Sequence, residues 1–401
     1  MDFLSNVGKS VSAPIHEENK LADEMERKGR KIIRLNRGDP AIYFPTPKYI
    51  IKAYNKALME NKTHYADPIG IRELREEVAK RQKRLYGTNV DEDSVVITQG
   101  VSEAILFLNA ATMEKGATAI IPKPYYPSYI SYMDMFEGKP TFFNYNEGSG
   151  WSLDMDSLAK AFAISKPKYI AIANPSNPTG SIIPKKALRE IADMANENDT
   201  MLVVDEIYDE IVFNGARFTS MSQLARGIPH VIFNGVSKVF DATGLRIGYA
   251  IFPEEDKKSM DLKTAFENMA DVRLSANVPS QYAMVEALRN RTEHEKSIKA
   301  MVSEIEKRVN FSTDMINQFE YMEMERPSGA YYLFPRLNME KLKFKNDGEF
   351  ARKLLEEEGI QIVKGSGFGA EDHIRIVSLA DTKTLETAIN AMYKFCAKHE
   401  R

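Results

Sequence analysis

The chain reads as an α/β protein: a large domain with a mostly parallel central sheet flanked by helices, plus a smaller α+β domain. Three observations predict this. Across residues 94–234 short apolar runs alternate with helical spacings, the pattern of parallel strands joined by crossover helices. Gly100, Tyr126, Asn177, Asp205 and Lys238 each follow an apolar run, and open α/β sheets bind ligands at the carboxyl ends of their strands. Towards the C-terminus the alternation gives way to short strand-like stretches and separate helices.

In chain order, residues 1 to about 30 are polar and charged, with weak helical spacing at 21–26. Residues 32–40, IIRLNRGDP, form a short apolar run that ends in Gly38 and Pro40, an extended entry into a turn. Helical spacing covers 49–60 and 71–85. Strands are expected at 94–98, 117–122, 168–173, 200–205 and 230–234, with helices from about Ser102 and at 185–196 between them. A second apolar run follows the Lys238 loop at 247–252, and a long helix at about 290–319. GAYYLFPRL, IQIVKG and HIRIVSL are strand-like, and helices are expected at 347–357 and 383–398.

Composition narrows the function classes. Apolar residues make up 43% of 401, enough for a large core. The net charge of -3 gives no reason to expect nucleic acid or an anionic membrane as partner. The one cysteine, Cys396, forms no intramolecular disulfide and builds no thiolate metal site, and the six histidines show no HExxH spacing. No metal is therefore expected. The first 14 residues lack the basic and apolar regions of a secretory leader, and no apolar run approaches the ~18 residues of a membrane span. A cytoplasmic protein is expected.

Two Gly-rich strings carry little. Gly8-Lys9-Ser10 resembles the end of a phosphate loop, but Phe3 stands where its first glycine belongs. Gly365-Ser366-Gly367-Phe368-Gly369 lacks dinucleotide spacing. Four other stretches carry more. Gly100-Val101-Ser102 lies between a strand and a helix, where backbone amides bind phosphate; the plain alternative is Ser102 as an N-cap. Asn174 to Gly180, NPSNPTG, is a rigid loop at a strand end. Asp205 closes the strand MLVVD, either as a helix cap or as a partner that keeps a ring nitrogen protonated. Lys238 sits among small residues, and desolvation there favours the neutral amine that reacts with carbonyl groups.

Together, NPxNPTG, the DEIY string, S-K-x-x-x-x-x-G-x-R-x-G from Ser237 to Gly248 and a late arginine in HIRIVSL resemble the fold-type I aminotransferases, which bind pyridoxal 5′-phosphate (PLP). The resemblance covers essentially the whole chain and implies an aspartate aminotransferase-like fold. It implies that residues 48–289 form the large cofactor-binding domain and that 1–47 join 290–401 in a discontinuous small domain. It implies that Lys238 holds PLP covalently and then shuttles a proton, with Asp205 at the pyridine nitrogen and Tyr208 at the ring hydroxyl. Tyr126 would stack on the ring, although Tyr125 and Tyr129 are close enough in sequence to be confused with it. Gly100, Val101, Ser102 and Arg246 would hold the phosphate. Asn177 would bond the ring oxygen and help Arg375 seat the substrate α-carboxylate, and Gly38 would supply a backbone contact. Tyr65 would reach the phosphate of a neighbouring subunit, which makes a homodimer with shared sites. Gly235 departs from the serine found there in many members.

The activity this implies is ping-pong transfer of an α-amino group from an L-amino acid to a 2-oxo acid. The rivals are aspartate as donor, or a carbon–sulfur lyase or decarboxylase on the same scaffold. A ligand-sensing domain of a transcription factor is disfavoured, since only about 35 residues precede Gly38. Acidic donors need a cation for the second carboxylate. At the two places where the family puts it, this chain has Ser102 and Val272, with Arg273 one residue off. A neutral donor, alanine or an aromatic amino acid, is therefore expected.

Overall fold

A computed structural model describes residues 3–10, 13–253 and 256–401. Of the N-terminal stretch read for a leader, Met1, Asp2, Val11 and Ser12 lie outside the described residues. The central sheet has eight strands: β1 (Val95–Thr98), β2 (Thr118–Lys123), β3 (Lys139–Asn146), β4 (Ser152–Leu153), β5 (Pro167–Ala173), β6 (Met201–Asp205), β7 (His230–Gly235) and β8 (Gly248–Ile251). Their spatial order is β1-β8-β7-β6-β5-β2-β3-β4. Neighbours are parallel except where β8 runs against β1 and β7, and β4 against β3.

Alternation along the strands explains their continuous apolar character. Val203, Val231 and Phe233 face one side, where Phe107 and Phe266 from two helices cover them. Leu202 and Val204 face the other side, against Leu188, Ile191 and Ala192 of the helix Lys185–Glu197. A sheet covered on both faces has no solvent side, so its strands need no polar positions.

Near the C-terminus, Tyr332–Leu333, Val363–Lys364 and Ile374–Val377 form a small antiparallel sheet. Ile33–Arg34 pairs in parallel with Ile360–Gln361, which brings the N-terminal segment against the C-terminal part. The long helix spans Arg291–Ile316, and Asp347–Glu358 and Thr382–Lys398 are helical as expected.

Several elements lie outside the sequence reading. Strands β3 and β4 and the helix Met155–Ile164 went unread, as did the helices Lys257–Arg273 and Val278–Arg289. Two of these helices begin with an aspartate cap: Asp154 accepts from the Ser157 amide, and Asp256 from the amides of Lys258 and Ser259. Asp205 caps no helix, because residues 207–210 form turns.

Candidate functional site

Register lines up the strand ends. Ala173 of β5 sits opposite Asp205 of β6, and Gly235 ends β7 opposite Gly248 of β8. A cavity of about 270 Å³ opens there, lined by Gly38, Tyr126, Asn177, Asp205, Lys238 and Arg375 among others.

Lys238 follows β7, and its Nζ donates to the Gly38 carbonyl at 2.6 Å. Burial pulls its pKa down to about 8; Asp39 opposes this, while Arg375 and Arg246 add to it. Gly38 also accepts from the Tyr331 hydroxyl at 3.1 Å. A Cβ on Gly38 would stand 2.4 Å from the Tyr332 hydroxyl, so only glycine brings this carbonyl so close.

Asp205 is 5% exposed, and burial pushes its pKa up to about 7, against the hydrogen bond from the Ile207 amide and the charge of Lys238. That amide lies 3.1 Å from Oδ1. A buried carboxyl group with so little compensation is ready to pair with a cationic ring N–H. Tyr208 lines the same cavity, with its hydroxyl 2.6 Å from that of Tyr332.

The Asn174 to Gly180 loop is tied down at both ends. The Asn174 amide donates to the Asp205 carbonyl at 2.9 Å, and Gly180 adopts φ +68° where Pro327 packs against it. This points Asn177 at Arg375, whose Nη1 donates to Asn177 Oδ1 at 3.1 Å and whose Nη2 donates to the Asn36 carbonyl at 2.6 Å. The Arg375 guanidinium is 1% exposed and lies 4.7 Å from the ring centres of both Tyr332 and Phe368. Its Nε is buried without a partner among the described residues.

At the opposite end, the helix Val101–Thr112 starts from Gly100 at φ +74°, and no side chain caps it. Ser102 is therefore inside the first turn rather than the N-cap. The Arg246 guanidinium lies beside this turn, 2.6 Å from where a Cβ on Gly100 would be. It donates to the carbonyls of Thr243 at 3.0 Å and Gln99 at 3.4 Å. A Cβ on Gly248 would reach 2.5 Å from the Gly100 carbonyl carbon, so β8 approaches the turn only as glycine. Gly235 has a similar reason: a Cβ there would stand 2.8 Å from the Ile247 carbonyl oxygen, which disfavours serine at this position.

These features fit PLP. The uncapped amides and Arg246 suit its phosphate, the buried Asp205 its ring nitrogen, and the desolvated Lys238 its aldehyde. Of the three adjacent tyrosines, Tyr126 lines the cavity, whereas Tyr125 stacks on Phe142 and Tyr129 is buried in the core. Tyr65 does not line it and is 76% exposed. Arg273, a candidate cation in the sequence, is tied to Glu103 at 2.7 Å and to the Pro68 carbonyl at 2.7 Å, while Val272 is 87% exposed. The sequence reading missed Tyr331, Tyr332, Asp39, Arg37 and His16. The first two lay in a run read only as a strand, and the others in a segment without periodicity.

The comparisons agree with this geometry. A family model described as aminotransferase class I and II matches residues 30–392. The chain is 31% identical to the glutamate–pyruvate aminotransferase of Haemophilus influenzae, covering 100% of this chain and 98% of that one. It is 32% identical to an asparagine–oxo-acid transaminase of Streptococcus mutans, covering 94% of each. An alanine aminotransferase structure from Pyrococcus furiosus superposes with a TM-score of 0.93 at 33% identity, over 99% of this chain and 100% of that one. A match of this extent, on a cavity already suited to PLP, places the chain in the class I and II aminotransferases, the PLP-dependent transaminases.

Proposed function

We propose that the enzyme moves the α-amino group of a neutral L-amino acid, alanine or an aromatic one, to a 2-oxo acid such as 2-oxoglutarate in two ping-pong half-reactions. The observation that carries this is the Lys238 amine, buried and lowered in pKa, in one cavity with Asp205 and Arg375. When bound, PLP supplies the electron sink that lets the substrate Cα lose its proton. Arg375 and Asn177 orient the α-carboxylate and so fix which Cα bond faces Lys238. Lys238, whose Nζ reaches into the same cavity, would be the base that takes that proton and holds it for return. The Gly38 carbonyl holds Nζ in place between these events. Asp205 would keep the ring nitrogen protonated, Tyr208 would bond the ring oxygen, and Tyr126 would pack on the ring face. Gly100, Val101, Ser102 and Arg246 bind the phosphate.

With Arg273 held by Glu103, and Ser102 and Val272 uncharged, neither position offers a cation to an acidic donor. The check is kcat/KM for alanine, phenylalanine, tyrosine and aspartate at fixed 2-oxoglutarate. Alanine should lead. An aspartate value tenfold above alanine, about 1.4 kcal/mol of transition-state preference, would contradict the reading.

The same reading takes 48–289 as the large domain and 1–47 with 290–401 as the small one, supported by the pairing of Ile33–Arg34 with Ile360–Gln361. It also takes the working enzyme to be a cytoplasmic homodimer. Tyr65, Met59 and Val272 are large apolar side chains left exposed, the kind an interface covers. Sedimentation should give a dimer, and Tyr65→Ala should weaken cofactor binding only through it. A fully active monomer would rule this out. Among the described residues no helix is long and apolar enough to cross a membrane.

Gly248→Ala is expected to raise the Kd for PLP about tenfold, since its methyl group would push on the Gly100 turn. Titration of cofactor-free protein checks this, and a Kd within twofold of the parent would separate β8 from the phosphate site.

A further inference from the structure

Three arginines line the cavity, and the reading above gives two of them an anion: Arg246 the phosphate and Arg375 the α-carboxylate. The third is Arg37. Among the described residues its guanidinium has no ion pair or hydrogen bond. Among the described residues neither acid lining the cavity forms an ion pair with it. Asp39 Oδ1 accepts from the Ala41 amide at 3.2 Å and the Thr243 hydroxyl at 2.7 Å, and Asp205 is hydrogen-bonded to the Ile207 amide. Arg37 is exposed, at the rim of the cavity, and directly precedes the Gly38 carbonyl that holds the Lys238 amine. A cation next in sequence to the glycine that holds the Lys238 amine, open to the cavity and unpaired among the described residues, is arranged for an anionic part of the substrate.

His16 lines the cavity as well, and a chain of hydrogen bonds sets its tautomer. Arg34 Nη1, which only donates, bonds Gln361 Oε1 at 3.1 Å. That turns Gln361 Nε2 towards Asn19 Oδ1 at 2.9 Å, and Asn36 Nδ2 donates to the same oxygen at 3.1 Å. Asn19 must then present its Nδ2 to His16 Nδ1, 3.1 Å away. With Nδ1 accepting, the ring hydrogen resides on Nε2. Partial burial, then the charges of Arg37 and Arg375, lower the His16 pKa, so the neutral form with an Nε2–H donor prevails at neutral pH.

We propose that Arg37, with the Nε2–H of His16 beside it, receives the second carboxylate of a five-carbon diacid: 2-oxoglutarate as acceptor, and glutamate as the amino acid made from it. This rests on the aminotransferase reading and deepens it. Arg375 takes the α-carboxylate deep in the cavity, and the distal carboxylate reaches outward to the rim. A planar guanidinium fork matches that carboxylate with two parallel hydrogen bonds. The rim position suits the longer diacid better than the four-carbon one, whose second carboxylate stays a methylene further in. It also reconciles a neutral donor with a dicarboxylate acceptor, because a monocarboxylate leaves Arg37 to solvent at little cost.

The test measures binding and turnover separately. Glutarate and butyrate, unreactive and alike but for the second carboxylate, are titrated calorimetrically into the PLP-loaded enzyme, its Arg37→Ala and Arg37→Lys variants, and His16→Ala. Glutarate should bind the parent at least tenfold tighter than butyrate. Arg37→Ala should erase most of that ratio, with Arg37→Lys recovering part and His16→Ala losing less. In turnover, the kcat/KM ratio of 2-oxoglutarate to pyruvate should fall tenfold or more in Arg37→Ala. Equal losses for both acceptors would make Arg37 a structural residue and overturn the proposal, as would an unchanged glutarate-to-butyrate ratio. If the parent transfers no amino group to any acceptor, the functional reading fails, while the glutarate ratio still decides Arg37.

Discussion

Lys238→Ala should fold and still bind PLP, and should lose turnover by roughly 10²–10⁴-fold or more, the scale contributed by a positioned acid–base group. The loss should fall on kcat, since in the proposed reaction Lys238 would act on the Cα proton only after Arg375 and Asn177, which bond each other in the cavity, have seated the substrate. Removing Nζ also frees the Gly38 carbonyl, which keeps its bond from Tyr331 and so remains satisfied. That is why the variant is expected to keep its fold. Single-turnover measurements with alanine check it. A variant within tenfold of the parent would mean that another base moves the proton. The lowered pKa adds a signature before catalysis. Uptake of PLP by the cofactor-free parent needs the neutral amine, so its rate should rise with pH and level off above about 8.

Asp205→Asn should cost about as much, by a different route. Without a carboxylate the ring nitrogen is not held protonated and Cα deprotonation slows, by an expected hundredfold or more in kcat. Near-parental kcat would reduce Asp205 to a cap on the turn at 207–210. The variant also carries a stability test. In the cofactor-free protein the Asp205 pKa is raised to about 7, above its unfolded value. The folded state then holds this proton more tightly, so its stability is fully present below the unfolded pKa and is lost as pH rises through about 7. Above that pH the loss amounts to a few kcal/mol, following about 1.4 kcal/mol per pH unit between the two pKa values. Asparagine cannot ionise, so cofactor-free Asp205→Asn should lack this decline. A parent and variant with parallel pH–stability curves would show that the Asp205 carboxylate is not strained by burial.

The legible part of the sequence was what its local pattern specifies. Strands β5, β6 and β7 are buried on both faces and read as unbroken apolar runs, and the residues after them are those the cavity gathers. Strand β3 escaped because it lies near the sheet edge and its partly exposed positions dilute the apolar signal. The helix Lys257–Arg273 buries Leu262, Phe266 and Ala270, a four-residue spacing, but its many charged residues obscure that narrow stripe. Tyr331 and Tyr332 look like core strand residues until the fold brings them to Gly38 and Tyr208. His16 and Arg37 come from the N-terminal segment, which meets Arg375 through the pairing of Ile33–Arg34 with Ile360–Gln361 and the bond from Arg375 to the Asn36 carbonyl. No local periodicity signals contacts over more than 300 residues.

The central claim is that Lys238 holds PLP at the carboxyl end of β7. Reducing the PLP-loaded protein with borohydride and mapping its peptides by mass tests this directly. The account predicts one added pyridoxyl phosphate per chain, on the peptide that contains Lys238, and none on Lys238→Ala. Stoichiometric labelling of any other lysine, or equal labelling of Lys238→Ala, would contradict it.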